Sequence, residues 1–250
     1  KAVLILRREE CRLRRYAHLG TGNYHPRTAR LYTDFGLMTA NVEITHDVSE
    51  VFKQLTGLGQ ARTLRYLLQA PFTLQATIVA QIHAEASAAR AGEKARIVAK
   101  MNALLEPETI HALYEASQAG VQIDLIIRGV CALRPGVPGL SENIKVRSVI
   151  GRFLEHHRIF YFQSGGEEKV FLSSADWMER NFFRRIELAF PILDPKLKKR
   201  VINEGLKFYL ADNQQAWEMN SAGHYLRKTS SRAKPHSAQA ELMLTLGKSS

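Results

Sequence analysis

A histidine and an arginine two positions apart, followed by a turn of small polar residues, form the chemically most suggestive pattern in the sequence. His156 and Arg158 precede the apolar run IFYF, and the turn SSAD at 173–176 follows the next apolar run. An imidazole can attack phosphorus or protonate a departing oxygen, and a neighbouring cation neutralises phosphoryl oxygens. Small residues let backbone N–H groups approach a phosphate. The pattern indicates phosphate chemistry, although on its own a polar strand start is the better explanation of the pair.

The beginning of the chain repeats this order of features. Lys1 precedes the apolar run AVLIL, a charged segment, a second apolar run and the turn GTGN at 20–23. Both parts therefore read as a basic residue, a strand, a polar turn, a strand and a small polar turn. Such an internal repeat predicts two related units.

The elements that must position these residues alternate between strands and helices. A strand at 96–101, a helix at 107–119 and a strand at 121–128 predict a parallel pair with a right-handed crossover. Further strands are predicted at 2–6, 13–19 and 145–150, and further helices at 47–55 and 72–90. The stretch Arg7–Glu10 is expected to be a turn, and glycine is expected in GTGN for its freedom of backbone angles. From His224 onward we expect a basic, partly ordered extension.

Composition places the chain among basic globular proteins. It has 250 residues, is 45% hydrophobic and carries a net charge of +11, which suits an anionic partner. The two cysteines have no metal-ligand spacing and indicate reduced thiols in a cytoplasmic protein. No apolar run approaches the ~20 residues of a membrane span, so only peripheral membrane association stays open. The chain does not begin with Met, and its opening strand suggests the middle of a domain.

The repeat resembles the HxK…GSxN signature of the phospholipase D superfamily, with arginine in place of lysine and aspartate in place of asparagine in the second unit. Longer segments are more specific. RRYAHLGTGNYHPRTARLYTDFGLMTA, IIRGVCALRPGVPGLSENIKVRSVIGRFLEHHRIFYF and VFLSSADWMERNFFRRIELAFPI all resemble bacterial polyphosphate kinase, and the resemblance extends to about residue 220. It implies an α/β fold of two phospholipase-D-like domains, with a truncated first domain at 1–66 and a second domain at 67–250.

This resemblance implies reversible transfer of the terminal phosphate of ATP to inorganic polyphosphate through a phosphohistidine, with Mg²⁺ required. Lys1 matches the lysine of the first HxK, so the phosphorylated histidine is expected two residues before it, outside the sequence. ATP or ADP and polyphosphate are the expected partners, without specific nucleic acid binding. The family forms oligomers, and we expect a homo-oligomer.

The family pattern also assigns roles to individual residues. Tyr32 in ARLYTD is expected to contact the nucleotide, Arg128 in IIRG to bind phosphate, and His156 to act as general acid or base with Arg158 on the same face. We expect Tyr32, Arg128 and His156 to line one cavity. Spacing alone favours a core tyrosine at position 32 and is neutral on Arg128.

Other residues are assigned to the surroundings of this site. His18 is expected near the phosphate, although a structural bond to its turn is nearly as plausible. Lys100 and Asn102 are expected to face the phosphate channel, or Lys100 to be solvated. The turn residues Asn23, Ser174 and Asp176 are expected at the phosphate, where Asp176 and Asn181 either orient His156 and Arg158 or cap a helix near Trp177. One of Arg184 and Arg185 is expected to pair with Glu187. No metal ligand is assigned.

Two other functions remain open from the sequence. A phospholipase-D-type phosphodiesterase or nuclease would share the paired histidines but cleave P–O–C esters. A basic, non-catalytic module that binds polyanions would depend only on total charge.

Overall fold

A mixed β-sheet of nine strands forms the centre of the computed structural model, which describes residues 1–57, 63–227 and 234–247. In order across the sheet the strands are Tyr225–Arg227 (β14), Ala216–Met219 (β13), Ile144–Val149 (β8), Gln122–Ile127 (β7), Arg96–Met101 (β6), Arg158–Phe162 (β10), Lys169–Ser173 (β11), Glu187–Pro191 (β12) and Leu68–Ala70 (β5). Strands β6, β7 and β8 are parallel, while the outer strands pair antiparallel. The predicted α/β class is confirmed.

Two helices, Leu74–Arg90 (α3) and Pro107–Gln118 (α4), contribute to the core on one side of this sheet. Helix α4 begins where Glu106 accepts hydrogen bonds from two backbone N–H groups and Pro107 supplies a helical φ angle. It ends before Gly120, whose φ of 98° suits glycine. The predicted strand, helix and parallel strand at 96–128 are therefore confirmed.

The N-terminal part of the chain contributes to a second core cluster, together with the opposite side of the sheet. Its strands Ala2–Glu9 (β1), Arg12–Gly20 (β2) and Gly36–Thr39 (β4) form an antiparallel sheet, with a helix at Pro26–Leu31 (α1) and another at Val42–Leu55 (α2). The predicted turn at Arg7–Glu10 is wrong for its first three residues. Strand β1 continues to Glu9 because its exposed edge tolerates charged side chains, and the turn lies at Glu10 and Cys11, which both have positive φ.

The two predicted repeats form hairpins in the same register. Gly20 N donates to Lys1 O across the first hairpin, and Arg158 pairs with Ser173 across the second. The small polar turns therefore start opposite the basic residue in each unit. The glycines of GTGN, however, do not have positive φ. A side chain at Gly22 would collide with Asp34, so this glycine allows a close approach rather than an unusual backbone angle.

A short parallel ladder joins the two units. Tyr32–Thr33 (β3) pairs with Leu154–Glu155 (β9), in the register Tyr32 to Leu154 and Thr33 to Glu155. This pairing brings the segment after α1 beside the residues that precede β10. It is the local structure on which the site described below depends.

The C-terminal part is more ordered than predicted. A short helix at Glu179–Phe183 (α5) is followed by a helical run made of Pro195–Arg200 (α6), a π-helical segment at Val201–Lys207 and Phe208–Ala211 (α7). The expected extension after His224 instead contains β14 and a helix at Ala238–Leu246 (α8). Helix α8 forms because its apolar Leu242 packs on the second core cluster. Lys228 and Arg232 of the predicted extension lie outside the described residues.

The π-helical segment is held close to the sheet by Gly205. An added Cβ there would collide with Ile159 and lie 3.1 Å from the Phe35 ring. Replacing Gly205 with alanine gains about 1 kcal/mol of helix propensity but overpacks the core at a cost of about 1–3 kcal/mol. We therefore predict a net loss of roughly 1 kcal/mol in the free energy of unfolding, measured by urea denaturation.

The matched control is Gly247→Ala, since a Cβ at that position meets nothing within 4 Å. This control should be as stable as the unmodified protein. Equal stability of Gly205→Ala and Gly247→Ala would contradict the close packing of the π-helical segment.

Candidate active site

His156 is held by a carboxylate from the other repeat. Its Nδ1 lies 2.9 and 3.0 Å from the two carboxylate oxygens of Asp34. Asp34 in turn accepts a 2.7 Å hydrogen bond from Thr21 Oγ1, at the end of the first hairpin. Since a carboxylate only accepts, Nδ1 carries the proton and the lone pair of the imidazole lies on Nε2. Nε2 is therefore the ring nitrogen that can accept a hydrogen bond or a proton.

Arg158 lies against Nε2 of the same histidine. Its Nη1 is 3.1 Å from His156 Nε2 and donates to the His156 carbonyl at 2.7 Å. As predicted from strand alternation, the two side chains share one face. Asp176 fixes the guanidinium through two hydrogen bonds of 3.1 and 3.0 Å, the bidentate geometry that orients arginine best. Asp176 therefore orients Arg158. It does not cap a helix, because α5 begins only at Glu179.

The same network continues to Arg128. Asn102 N donates to Asp176 Oδ1 at 2.7 Å, and Arg128 Nε donates to Asn102 Oδ1 at 3.0 Å. Within the described residues this is the one hydrogen bond that the Arg128 guanidinium makes, so its other N–H groups can meet an anion. Arg128 lies just after β7, at the carboxyl end of a parallel strand where open α/β sheets bind ligands.

Tyr32 lies where two cavities meet beside His156. Its ring centroid is 4.9 Å from that of the imidazole. One cavity, of about 260 Å³, is lined by His18, Asn23 and Tyr32, and the other, of about 390 Å³, lies toward α8. Neither cavity is lined by Arg128 or His156. A single hollow shared by Tyr32, Arg128 and His156 therefore stays a prediction. The described contacts connect Arg128 to His156 through Asn102, Asp176 and Arg158.

His18 faces the smaller cavity as expected, but it is also bonded locally. Its Nδ1 lies 2.5 Å from Tyr24 Oη, and a Cβ on Gly36 would be 2.6 Å from its Nε2. Both of the roles considered for His18 therefore remain compatible with the structure.

Lys100 does not face an open channel, nor is it solvated. It is fully buried, with Nζ 2.6 Å from Glu155 Oε2, 2.7 Å from His157 Nε2 and 3.0 Å above the Tyr209 ring. The physical reason is that β6 lies in the middle of the sheet and is covered by Tyr209 on this face. The structure therefore gives no support to a direct contact between Lys100 and phosphate.

Burial shifts the pKa of each group in this cluster. Burial is the main reason that the pKa of Lys100 falls to about 8, although Glu155 opposes the change. Burial, with help from Lys100, lowers the pKa of His157 to about 3. Burial alone would raise the pKa of Glu155, but Lys100 and His157 together lower it to about 2. At neutral pH the lysine and glutamate are thus charged and the histidine is neutral.

Lys1 and the second small polar turn meet at Glu187. Lys1 Nζ lies 3.7 Å from Glu187 Oε2, and Ser174 Oγ and Asn181 Nδ2 also donate to this carboxylate. The predicted pairing of Glu187 with Arg184 or Arg185 is wrong, since both arginines are exposed and Arg184 pairs with Glu179. Strand β12 starts at Glu187, after the two arginines, and the Glu187 carboxylate points inward.

Two of the residues predicted to bind phosphate therefore already have protein partners. The Ser174 hydroxyl is buried against Glu187, and the Asp176 carboxylate is occupied by Arg158 and would repel a phosphate. Both are better placed to position other groups than to touch the anion. A direct contact of either residue with phosphate stays a prediction.

Three residues of the site were missed from the sequence. Asp34 follows Tyr32 in LYTD and was detectable as a carboxylate beside a predicted ligand. Glu155 directly precedes the histidine pair in LEHH, but nothing in that spacing indicates that it turns inward. Gln239 lies in the segment expected to be an extension, so no sequence signal pointed to it.

The buried cluster predicts how stability depends on pH. His157 stays neutral in the folded protein down to about pH 3, whereas it protonates near its usual pKa of 6.5 in the unfolded chain. The folded state binds fewer protons, so stability falls as pH drops below about 6.5. In His157→Gln this loss should be smaller by about 1 kcal/mol per pH unit between pH 6 and 5, measured by urea denaturation.

The control is His111→Gln, because this histidine is 76% exposed and should leave the slope unchanged. The free energy of unfolding should be measured above pH 4.5. Below that pH the stabilisation that the Glu155 carboxylate contributes is also lost, down to about pH 2. An identical slope in wild type and His157→Gln would show that His157 is not held neutral by burial.

Comparison with known proteins assigns the chain to a family. The family model for polyphosphate kinase C-terminal domain 1 matches residues 1–61, and that for polyphosphate kinase C-terminal domain 2 matches residues 67–239. The second match alone covers more than half of the chain.

Individual relatives of the chain belong to the same family. Polyphosphate kinases of Burkholderia cenocepacia and Paraburkholderia phytofirmans are both 67% identical over 232 residues, which cover 91% of this chain and 34% of each relative. The crystal structure of polyphosphate kinase from Porphyromonas gingivalis aligns with a TM-score of 0.93 and 41% identity, over 100% of this chain and 38% of that one. A phospholipase D family member, Nuc from Salmonella typhimurium, aligns with a TM-score of 0.45 at 15% identity. The chain spans about a third of the length of the curated relatives it matches. It belongs to the polyphosphate kinase family and carries that family's two C-terminal domains.

Proposed function

We propose that this chain forms the phosphoryl-transfer half of an ATP:polyphosphate phosphotransferase. The observation that carries the proposal is the Asp34–His156–Arg158 arrangement, in which an oriented imidazole lies beside a fixed guanidinium across the two repeats. In the reaction, the terminal phosphate of ATP would pass to a histidine and then to polyphosphate, and the reverse sequence would form ATP. In this proposal the nucleophile is a histidine two residues before Lys1, in the first repeat.

Each residue has a physical task in this scheme. Asp34 holds His156 with its proton on Nδ1, so that Nε2 can protonate the departing phosphate oxygen after accepting a proton. Arg158 and Arg128 supply charge for the phosphoryl oxygens. The Tyr32 ring can stack on a base, which is worth about 1–3 kcal/mol in single-stranded nucleic acid complexes.

The Mg²⁺ that the family implies has no evident set of protein ligands here. No group of three or more His, Cys, Asp or Glu side chains suited to a metal occurs in the described part of the chain. The nearest carboxylates, Asp34 and Asp176, are already bonded to His156 and Arg158. These two carboxylates therefore do not fit a Mg²⁺ site as they stand.

The expected partners follow from charge and family. A net charge of +11 favours binding of polyphosphate and nucleotide, and such binding should weaken with salt. Assembly of the whole protein into a homo-oligomer and a cytoplasmic location are part of the proposal. No helix within the described ranges is both long and apolar enough to cross a bilayer.

The function is tested by replacing His156 with alanine in the full-length enzyme. General acid–base catalysis contributes about 10²–10⁴-fold, so we predict a fall in kcat of that size for ATP formation from ADP and polyphosphate. Binding of polyphosphate should change little, because His156 contributes no fixed charge to it. The measurement is a coupled ATP assay together with a polyphosphate binding assay.

His46→Ala is the matched control, since this half-exposed histidine lies on α2 and contacts Glu50. It should retain full activity. Unchanged kcat in His156→Ala would refute the role proposed for His156. Cleavage of phosphodiesters without ATP formation would favour the nuclease alternative, and polyphosphate binding without either reaction would favour a non-catalytic module.

A further inference from the structure

The C-terminal helix α8 contacts the segment that precedes His156 through one buried side chain, Gln239. Its Oε1 accepts from Phe153 N at 2.9 Å, while its Nε2 donates to Phe153 O at 2.8 Å and to Glu155 Oε1 at 2.5 Å. The amide thus satisfies both backbone groups of Phe153, as a neighbouring strand would. Only 4% of Gln239 is exposed, although most of α8 is at the surface.

The surrounding chain is shaped for this contact. A Cβ on Gly151 would lie 2.5 Å from Gln239 Oε1. Gly151 does not have a positive φ, so its backbone angles do not require glycine. The requirement is space: any side chain at position 151 would displace the Gln239 amide from Phe153.

Glu155 connects Gln239 to the segment that holds Asp34 and His156 together. Its second oxygen, Oε2, accepts from Thr33 Oγ1 at 2.8 Å and from Lys100 Nζ at 2.6 Å. The Thr33 hydroxyl in turn accepts from His156 N at 3.3 Å. Because Thr33 lies between Tyr32 and Asp34, this hydroxyl fixes both strands of the β3–β9 ladder at the point where Asp34 meets His156.

We propose that Gln239 is a positioning residue for phosphoryl transfer, which acts through Phe153, Glu155 and Thr33 to hold His156 against Asp34. This inference rests on the proposed function of His156. It gives α8 a part in catalysis although the helix touches no reacting group.

The effect expected on the reaction follows from the sensitivity of catalysis to geometry. A misplacement of about 1 Å at a catalytic group can reduce the rate about a hundredfold. Among the described residues, the Gln239 side chain hydrogen-bonds to Phe153 and Glu155. A replacement of equal size also keeps its volume in the cavity that it shares with Tyr32, so substrate binding should be preserved. Loss of its hydrogen bonds should therefore lower kcat and leave KM nearly unchanged.

The test uses the full-length enzyme with Gln239→Met, which keeps the size of the side chain but removes its hydrogen bonds. We expect kcat for ATP formation to fall about 10- to 100-fold, with the KM values for ADP and polyphosphate within about twofold. The matched control is Leu244→Ala on the same helix, since this side chain is 61% exposed. The change leaves the hydrogen bonds of Gln239 in place, and it should leave kcat within about twofold.

A second variant separates positioning from simple loss of stability. Gln239→Glu keeps the shape, and its protonated form can still donate to Glu155. Its kcat relative to wild type should therefore rise as pH is lowered from 8 to 6, whereas the ratio for Gln239→Met should stay flat. Thermal unfolding of each variant, recorded alongside, identifies any protein that is not folded at the assay temperature.

The outcomes distinguish this inference from the proposed function. If the wild-type enzyme forms no ATP, the proposed function is wrong. If wild type is active and folded Gln239→Met keeps kcat within twofold, or Leu244→Ala loses as much kcat as Gln239→Met, the positioning role is refuted while the role of His156 stands.

Discussion

The hydrogen bond between Asp34 and His156 is the interaction on which the rest of the site depends, because it joins residues 122 positions apart from two different repeats. Neither unit alone contains both partners of this bond. The first repeat supplies the carboxylate at the end of a short strand, and the second supplies the histidine just before β10. The β3–β9 ladder holds these two segments side by side. The geometry around His156 therefore depends on how the two domains pack, and not on either fold separately.

This packing is achieved with buried charges, which are expensive. Lys100 and Glu155 are almost completely buried, and Arg158 and Asp176 are only 8% and 9% exposed. Removing such pairs from water often costs more than their attraction returns. An apolar core would be easier to stabilise, so the charged clusters are better explained by the orientation that they impose. Arg158 is held by two bonds to Asp176, and Glu155 satisfies three separate donors around His156. Such hydrogen-bonded networks restrict the side chains to one arrangement.

The sequence was informative where local patterns decide the structure. The strands and helix of 96–128 follow from apolar periodicity and from Pro107 and Gly120. The repeat of a basic residue and a small polar turn correctly aligned the two hairpins. Long-range pairing was not predictable in the same way. Nothing near Lys100 indicates that Tyr209 covers it, and nothing near Glu187 indicates that Lys1 rather than Arg184 is its partner. Gln239 was missed because a polar segment usually predicts a surface extension, whereas here one buried amide attaches the helix.

The central claim is that His156 and Arg158 face the phosphate being transferred. The most direct measurement is a crystal structure of the full-length enzyme with a non-hydrolysable ATP analogue. The account predicts that a terminal phosphate oxygen lies within hydrogen-bonding distance, about 3 Å, of both His156 Nε2 and the Arg158 guanidinium, with the Asp34–His156 bond intact. A terminal phosphate bound elsewhere, with His156 Nε2 still facing only Arg158, would contradict it.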